Sequence, residues 1–198
     1  SHELKTPMTS MKVLADSLVG QQGVPEELYQ EFLSDITEEI DRENKIITDL
    51  LSLVKMDKKA ADMNISNMNI NELLENILKR LRPIADQRRI DLILDSFRPV
   101  TADVDEVKFT LAISNLVENG IKYNVDEGWV RVTLDADHKD FYVTVADSGL
   151  GIPEDSIERI FERFYRVDKG RSKRVAGTGL GLSIVKHVTE FYGGCVSV

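Results

Sequence analysis

Cysteine is almost absent from this sequence of 198 residues. Cys195 is the only one, so an intrachain disulfide is excluded and a cysteine-based metal site is not expected. Aromatic residues make up only 7% of the chain. No apolar run approaches the roughly 18 residues that a membrane-spanning helix requires. Basic residues are outnumbered, 25 against 34 acidic ones, which argues against a nucleic-acid-binding protein with its usual basic face.

Hydrophobic residues make up 42% of the chain and charged residues 30%, proportions typical of a soluble globular protein with one or two cored domains. No signal peptide is recognisable, and the first residue is Ser1 rather than Met. We therefore expect a piece of a longer protein. Segments outside this piece are then expected to supply any membrane anchor.

The first quarter of the chain has the apolar spacing of two helices. One stripe of residues three and four apart runs from Leu4 to Leu18, and a second runs from Tyr29 to Val54. The segment GQQGVP at residues 20–25 separates them. A two-helix hairpin has no closed core, so its seam must meet a second copy, in a four-helix bundle, or the rest of its own chain. The length of the seam favours the dimer.

The remainder mixes helices and strands. Residues 56–68 are polar and weakly periodic, which predicts a linker. Apolar periodicity beyond it predicts helices at residues 73–85, 104–123 and 183–191. Alternation predicts strands at residues 90–94, 129–134 and 141–145, the last two joined as a hairpin. Helices and an antiparallel sheet in separate runs predict a two-layer α/β sandwich, so the whole chain is of the α+β class.

Residues 1–7, SHELKTP, form the first of four segments suited to phosphoryl chemistry. On a helix, His2 and Thr6 lie one turn apart on the same face. Pro7 removes a backbone donor and crowds the carbonyl of Glu3, so the helix should bend near His2. Imidazole is a good nucleophile near neutral pH, and Glu3 can accept its proton. An ordinary surface helix remains the alternative.

The second segment is NLVENGIKYN at residues 115–124. Asn115, Asn119 and Lys122 fall on one polar face of a helix. An amide oxygen suits Mg²⁺, which otherwise keeps water and phosphate oxygens as ligands. Lys122 can offset phosphate charge, and Tyr123 offers a flat surface to a base. A solvated polar face is the alternative.

Two further segments are rich in glycine. In DSGLGIP, residues 147–153, Asp147 can accept a hydrogen bond from an exocyclic amine such as that of adenine, although a plain turn would look the same. GTGLGL, residues 177–182, precedes a predicted helix, where backbone N–H groups suit a phosphate. A dinucleotide fingerprint is the rival interpretation. It requires a preceding strand, whereas residues 168–174 are polar and basic.

In this order the four segments resemble the H, N, G1 and G2 boxes of the sensor histidine kinases of bacterial two-component systems. Residues 161–166, FERFYR, resemble their F box. The resemblance covers essentially the whole chain. It implies a dimerisation and histidine-phosphotransfer hairpin at residues 1–64, forming a dimeric four-helix bundle. It also implies a catalytic ATP-binding domain at residues 67–198 with the α/β sandwich of the GHKL ATPases.

Roles in catalysis follow from the resemblance position by position. His2 would be the phosphoacceptor and Glu3 its acid/base partner. Thr6 would orient water for phosphatase activity. Asn119 would ligate Mg²⁺, with Asn115 close by.

Nucleotide-binding roles follow in the same way. Lys122 and Arg166 would contact the phosphates of ATP. Tyr123 would pack against the adenine ring, and Asp147 would accept a hydrogen bond from the adenine amine. The segment from residue 161 to residue 178 would form a mobile lid. The glycine-rich boxes would add Gly149, Gly151, Ile152, Gly177, Thr178, Gly179, Leu180, Gly181 and Leu182.

The implied activity is ATP-dependent autophosphorylation of His2, followed by transfer to an aspartate on the receiver domain of a response regulator, with regulator phosphatase activity as an option. A homodimer is implied, without a nucleic-acid partner. Membrane contact is expected only through segments absent from this chain, which would be the cytoplasmic portion of a protein in the bacterial inner membrane. A nucleotide-binding scaffold without chemistry and a GHKL ATPase remain as alternatives, which the complete set of boxes disfavours.

Three departures from the family pattern stand out. Gly120 replaces the usual alanine, which costs about 1 kcal/mol of helix propensity and is expected to loosen the nucleotide wall. The chain begins just before its phosphoacceptor. It ends at Val198, short of the usual last strand, so we expect an incomplete final layer of the core.

Overall fold

The structure is a computed structural model that describes residues 9, 12–13, 15–17, 25–58, 64–167 and 177–198. Helices α1 to α5 of this part span Glu26–Lys58, Ile70–Gln87, Glu106–Lys122, Glu154–Ile157 and Gly181–Phe191. Strands β1 to β5 span Ile65–Asn69, Asp91–Ser96, Thr101–Asp105, Trp129–Ala136 and Phe141–Asp147. The described positions before residue 18 are helical as well.

Helix α1 confirms the second helix predicted for the hairpin. Glu26 and Glu27 occupy its first turn, where acidic side chains complement the positive helix end. One face carries large apolar side chains that are between 45% and 54% exposed in the single chain: Leu33, Ile40, Ile47 and Leu51. None of the described helices combines the length and the apolarity needed to cross a bilayer.

The predicted hairpin of strands is confirmed as β4 and β5, which pair antiparallel with Val132 opposite Val145. The expectation of a wholly antiparallel sheet is wrong. β2 lies on the other side of β4 and runs parallel to it, with Leu92 opposite Val130. Parallel neighbours need a crossover connection, and here β3 and the helix α3 lie between them in the chain.

The linker predicted at residues 56–68 is also wrong at both ends. Helix α1 continues to Lys58, and residues 65–69 form β1, which pairs antiparallel with β3. Two residues expected at the start of a helix, Val104 and Asp105, belong instead to β3. The polar sequence of β1, ISNMN, shows no strand alternation, because its pairing depends on a partner some 36 residues away.

The core lies between the three-stranded sheet and helices α2 and α3. Val130, Val132 and Leu134 alternate along β4 toward the helices and are fully buried. Buried residues of the helices meet them: Leu74, Ile77, Leu78, Val117 and Ile121. A second apolar cluster joins α5 to α3 and contains Leu180, Ile184, Val185, Val188 and Ala112. The sandwich therefore presents one face of α3 to the sheet and another to α5.

Asp105 ties the start of the sandwich to its end. Its carboxylate caps α3 by accepting from the backbone N of Lys108 at 3.1 Å, and it also accepts from Lys108 Nζ at 3.1 Å and from the N of Asn64 at 3.3 Å. Its own backbone N donates to the hydroxyl of Tyr192 at 2.8 Å. Burial raises the pKa of Asp105, but these hydrogen bonds and the charge of Lys108 outweigh it, so the pKa is lowered.

We expect Asp105→Ala to lower the free energy of unfolding by about 2 kcal/mol at pH 7, because it removes a helix cap and a buried charged pair. Since the folded pKa is lowered, this difference should persist above the unfolded pKa of about 3.9 and vanish as pH falls through the folded pKa. Urea unfolding followed by circular dichroism measures it. Asp103→Ala is the control, since Asp103 lies on β3 like Asp105 but makes only an exposed hydrogen bond, with Asn67 of β1. Equal losses for the two variants would contradict the role given to Asp105.

Candidate functional site

Helix α3 is amphipathic: one face packs against the sheet, and the other carries the polar residues of the candidate site. Val117 and Ile121 are buried against the sheet. Asn115, Asn119 and Lys122 lie half-buried on the remaining surface. The predicted polar face therefore forms at the edge of the core rather than in open solvent.

The start of α5 lies against this polar face. A Cβ atom placed at Gly181 would lie 2.7 Å from Oδ1 of Asn115. The Asn115 amide nitrogen donates to the carbonyl of Leu111 at 2.8 Å, so its oxygen points toward the glycine-rich segment. A side chain at position 181 would displace that amide, so glycine allows the two segments to approach this closely.

The beginning of the glycine-rich segment contacts the end of α3. A Cβ at Gly177 would lie 2.7 Å from Nζ of Lys122 and 3.2 Å from the hydroxyl of Tyr123. Nζ of Lys122 also lies 5.2 Å from the centre of the Tyr123 ring. The backbone at Gly177 is thus held beside a positive charge.

Lys122 lies among other cations. Burial first, then the charges of Arg166, Lys45 and Arg88, lowers the pKa of Lys122 from 10.5 to about 8, while Glu118 acts in the opposite direction. Glu118, which lies 3.0 Å from Lys45, offsets these positive charges only in part, since the pKa of Lys122 remains lowered. The cluster is therefore suited to an anionic ligand.

A tight turn after β5 brings Asp147 to the same end of α3. The N of Gly149 donates to Oδ1 of Asp147 at 2.8 Å, and the N of Leu150 donates to the carbonyl of Tyr123 at 3.1 Å. A Cβ at Gly149 would lie only 2.4 Å from that Tyr123 carbonyl oxygen. Tyr123 therefore accepts a hydrogen bond from this turn through its backbone carbonyl, while its hydroxyl lies beside Gly177.

Asn124 and Ser148 hold this arrangement, although neither was predicted to have a role. The Asn124 amide donates to the carbonyls of Gly120 and Trp129, both at 2.9 Å. Ser148 Oγ donates to Oδ1 of Asn124 at 2.9 Å and accepts from the N of Trp129 at 2.8 Å. Because these bonds join α3, β4 and the turn, the two residues fix where Asp147 lies. Their only sequence signal was their place inside the two segments.

Residues 161–166 reach the glycine-rich segment from the other side. The N of Phe164 donates to the carbonyl of Gly179 at 2.8 Å. Gly179 has a φ of +71°, and a Cβ there would lie 2.8 Å from the carbonyl carbon of Phe164. Thr178 Oγ accepts from the N of Leu180 at 3.2 Å, and Leu180 is fully buried. This segment is therefore anchored at its middle.

Gly120 brings α3 close to β4. A Cβ there would lie 3.0 Å and 3.2 Å from the two methyl carbons of Val130 and 3.4 Å from the Cβ of Asp147. The residue is buried. Its small size therefore tightens this wall, contrary to the loosening expected from helix propensity.

The structure brings together the predicted residues of three segments on α3, the turn after β5 and the start of α5. Gly151, with a φ of +68°, and Ile152 lie at the exposed outer end of the turn, and Leu182 and Arg166 are half-buried. His2, Glu3 and Thr6 lie outside the described residues, as do residues 168–176 of the predicted lid.

Two family profiles match the chain on either side of β1. Residues 1–59 match the His Kinase A (phospho-acceptor) domain, and residues 104–198 match the histidine kinase-, DNA gyrase B-, and HSP90-like ATPase. The sensor histidine kinase WalK of Bacillus subtilis (strain 168) is 32% identical over 197 residues, which are 98% of this chain and 32% of that protein. The chain belongs to the two-component sensor histidine kinases.

Other similarities agree with this family. The sensor protein kinase WalK of Staphylococcus aureus is 34% identical over 198 residues, 98% of this chain and 47% of that protein. The chain thus spans less than half the length of these curated relatives. Histidine kinase ThkA, solved in complex with response regulator protein TrrA, has the same fold with a TM-score of 0.77 at 24% identity, over 98% of this chain and 53% of that one.

Within this sensor histidine kinase, the N, G1, G2 and F boxes meet at one end of α3. A helical segment followed by an α/β ATPase domain is the fold of the family, so the α+β class predicted from the sequence is confirmed. The H box is the one box that falls outside the described residues. The residue roles and the two domain boundaries remain predictions.

We expect Gly149→Ala to lower the free energy of unfolding by about 3 kcal/mol, because its Cβ would collide with backbone that cannot rotate away. Gly151→Ala is the matched control in the same turn. It meets nothing within 4 Å and should cost only about 1 kcal/mol, the strain of its left-handed backbone. Urea titration of both variants measures the difference. A loss at Gly151 as large as that at Gly149 would show that conformation, not contact, constrains this turn.

Proposed function

We propose that this chain is the catalytic core of a histidine kinase that uses Mg-ATP to phosphorylate His2. The observation that carries the proposal is the cationic cluster around Lys122, placed beside the glycine-rich start of α5. Lys122, Arg166 and the N–H groups of that segment are suited to a polyphosphate. The ATPase profile of residues 104–198 supports ATP as the ligand.

Adenine would bind at the turn after β5. One oxygen of Asp147 holds the N of Gly149, and a carboxylate has further acceptor positions for an adenine amine. Tyr123 joins this turn to Gly177, so base and phosphates would lie on either side of its ring. Gly151 and Ile152 would border the base. Residues Gly177 to Leu182 would lie alongside the phosphates.

Asn119 would hold Mg²⁺, with Asn115 close by. The donor set fits this ion, since an amide oxygen of Asn115 faces the glycine-rich segment and Mg²⁺ prefers oxygen ligands. No group of three or more His, Cys, Asp or Glu residues that could hold a metal ion is gathered in the part of the chain that is described. When bound, the ion would offset the negative charge of the triphosphate.

His2 would attack the γ-phosphorus of ATP through one ring nitrogen. A nitrogen–phosphorus bond forms as the bond between phosphorus and the bridging oxygen breaks, and ADP leaves. Glu3 would accept the proton from the other ring nitrogen. Positioning and charge stabilisation supply most of the catalysis in such transfers. Thr6 would orient water when the phosphorylated regulator is hydrolysed.

The aspartate of a receiver domain would then take the phosphoryl group from His2. A response regulator is the partner in the ThkA complex, whose fold this chain shares. The apolar stripe of α1 supports a homodimer, since exposed apolar faces of this length need cover. ATP and response regulators are cytoplasmic, so we infer that this chain is the cytoplasmic portion of an inner-membrane protein.

Incubation with labelled Mg-ATP tests the proposal. A phosphoprotein that is labile in acid and stable in base should form, and His2→Ala should abolish it while leaving ATP affinity unchanged. His138→Ala is the control, because His138 is exposed in the turn between β4 and β5 and should leave labelling intact. Labelling of the His2 variant at the normal rate would refute His2 as the acceptor.

The pKa of Lys122 predicts that nucleotide binding takes up a proton in alkaline solution. Its pKa is about 8 in the free site, and a bound triphosphate would raise it. Above pH 8 the free lysine is mostly neutral and the bound one protonated, so binding gains a proton and weakens as pH rises. Calorimetry at about pH 9 in buffers of different ionisation enthalpy measures the uptake.

Lys122→Met should abolish this proton uptake, whereas Lys139→Met should keep it. Lys139 is the matched control because it is an exposed lysine in the turn between β4 and β5. Equal uptake by both variants would remove Lys122 from the phosphate site.

A further inference from the structure

Among the described residues, three contacts dock helix α1 on the proposed nucleotide side of the sandwich. Thr178 Oγ donates to Oδ2 of Asp49 at 3.0 Å, and the two residues are 129 positions apart in the chain. Nζ of Lys45 lies 3.0 Å from Oε2 of Glu118. Leu50 packs against the apolar cluster of α5. These contacts join the helix of the phosphotransfer region to two boxes of the nucleotide site.

The contact of Asp49 differs from the other two because its carboxylate is buried. The residue is only 8% exposed, whereas Lys45 and Glu118 form an exposed pair of the kind that contributes little. Burial raises the pKa of Asp49, while the hydrogen bond from Thr178 and the charge of Lys45 oppose this and Glu118 adds to it. A buried charge needs a specific partner, and here the partner is the hydroxyl of the glycine-rich segment.

Thr178 has a single hydroxyl proton. It donates that proton to Asp49 while its oxygen accepts from the N of Leu180, next to the start of α5. Asp49 thus places a negative charge at a helix N-terminus, where the positive end of the helix favours an anion. A phosphate of the nucleotide would approach the same N-terminus.

We propose that Asp49 is an internal competitor of the nucleotide phosphates, which holds Thr178 and the glycine-rich segment while α1 is docked. The inference rests on the proposed nucleotide site. Two anions cannot share one short helix end without repulsion, so phosphate binding and the Asp49 contact oppose each other. Nucleotide binding then drives α1 away from the sandwich, and docking of α1 weakens nucleotide binding by the same factor.

A purely structural role is the alternative. Asp49 would then anchor α1 without affecting the ligand, and its removal would lower stability and leave affinity unchanged. Asp49→Asn separates the two roles, because the amide keeps an oxygen that can accept from Thr178 but carries no charge. Asp41→Asn removes the same charge from an exposed position of the same helix and serves as the control.

Calorimetry with a non-hydrolysable ATP analogue and with adenosine tests the competition. Asp49→Asn should tighten binding of the analogue about threefold to tenfold, which is the effect expected from removing one charged contact. It should leave adenosine binding unchanged. Asp41→Asn should alter neither. A phosphate-dependent gain confined to the Asp49 variant is the result that supports the proposal.

A crosslink provides a second measurement. Lys45→Cys and Glu118→Cys, combined with Cys195→Ser, place two thiols where the exposed ion pair lies. A short bismaleimide should join them in the free protein, and the ATP analogue should slow this reaction severalfold. With Asp49→Asn added, the reaction should be slower from the start, and the analogue should change it less.

Each possible result of these two experiments either supports or overturns the proposal. Equal affinity of the parent chain and the Asp49 variant for the analogue, or an equal change for adenosine, overturns the competition and leaves the nucleotide site standing. Crosslinking that the analogue does not alter overturns it as well. If the parent chain binds neither the analogue nor adenosine, the proposed function fails and the inference fails with it.

Discussion

The packing of α3 between the sheet and α5 is the constraint on which the site depends. Its apolar residues, Val117 and Ile121 among them, are buried against β4. Once they are in place, the 3.6-residue period turns Asn115 and Lys122 toward the start of α5. The polar face of the site is therefore oriented by the same hydrophobic burial that stabilises the fold.

Close backbone approach is the second requirement, and glycine provides it. At Gly177, Gly181 and Gly149, an added Cβ would lie within 2.4 to 2.7 Å of an atom of α3 or of the residue that ends it. These contacts set the distance between the helix and the two loops. They also place Nζ of Lys122 where burial and neighbouring cations raise the energy of its charged form. Such an arrangement is costly for the free protein, as is usual where a fold is shaped for a ligand.

Helix α1 faces two kinds of surface. Leu33, Ile40 and Ile47 form an apolar stripe that is exposed in the single chain. Asp49 and Leu50 lie at the sandwich instead, against Thr178 and the apolar cluster of α5. Helix α1 therefore combines an exposed apolar face with a face that packs against the start of α5.

Local pattern determined much of this protein in advance. The period of 3.6 residues predicted α2, α3 and α5, and alternation predicted the hairpin of β4 and β5, because each depends on neighbours in the chain. The boxes, from the H box at residues 1–7 to the G2 box, also predicted the family, since order and residue type are properties of sequence. Among the described residues, the predicted polar set on α3 and the glycine-rich loops lie together as the resemblance implied.

Only the tertiary structure decided the features that depend on partners distant in the chain. β1 and β3 were missed because their polar residues pair with each other rather than showing a pattern of their own. Helix propensity takes no account of the space available to a side chain. Gly120 therefore proved to allow close packing against Val130, whereas its propensity predicted a looser wall. The bond from Thr178 to Asp49 spans 129 positions and gives neither residue a local signal. Sequence specifies which groups exist and their local geometry, whereas burial and charge are set by whatever the fold brings beside them.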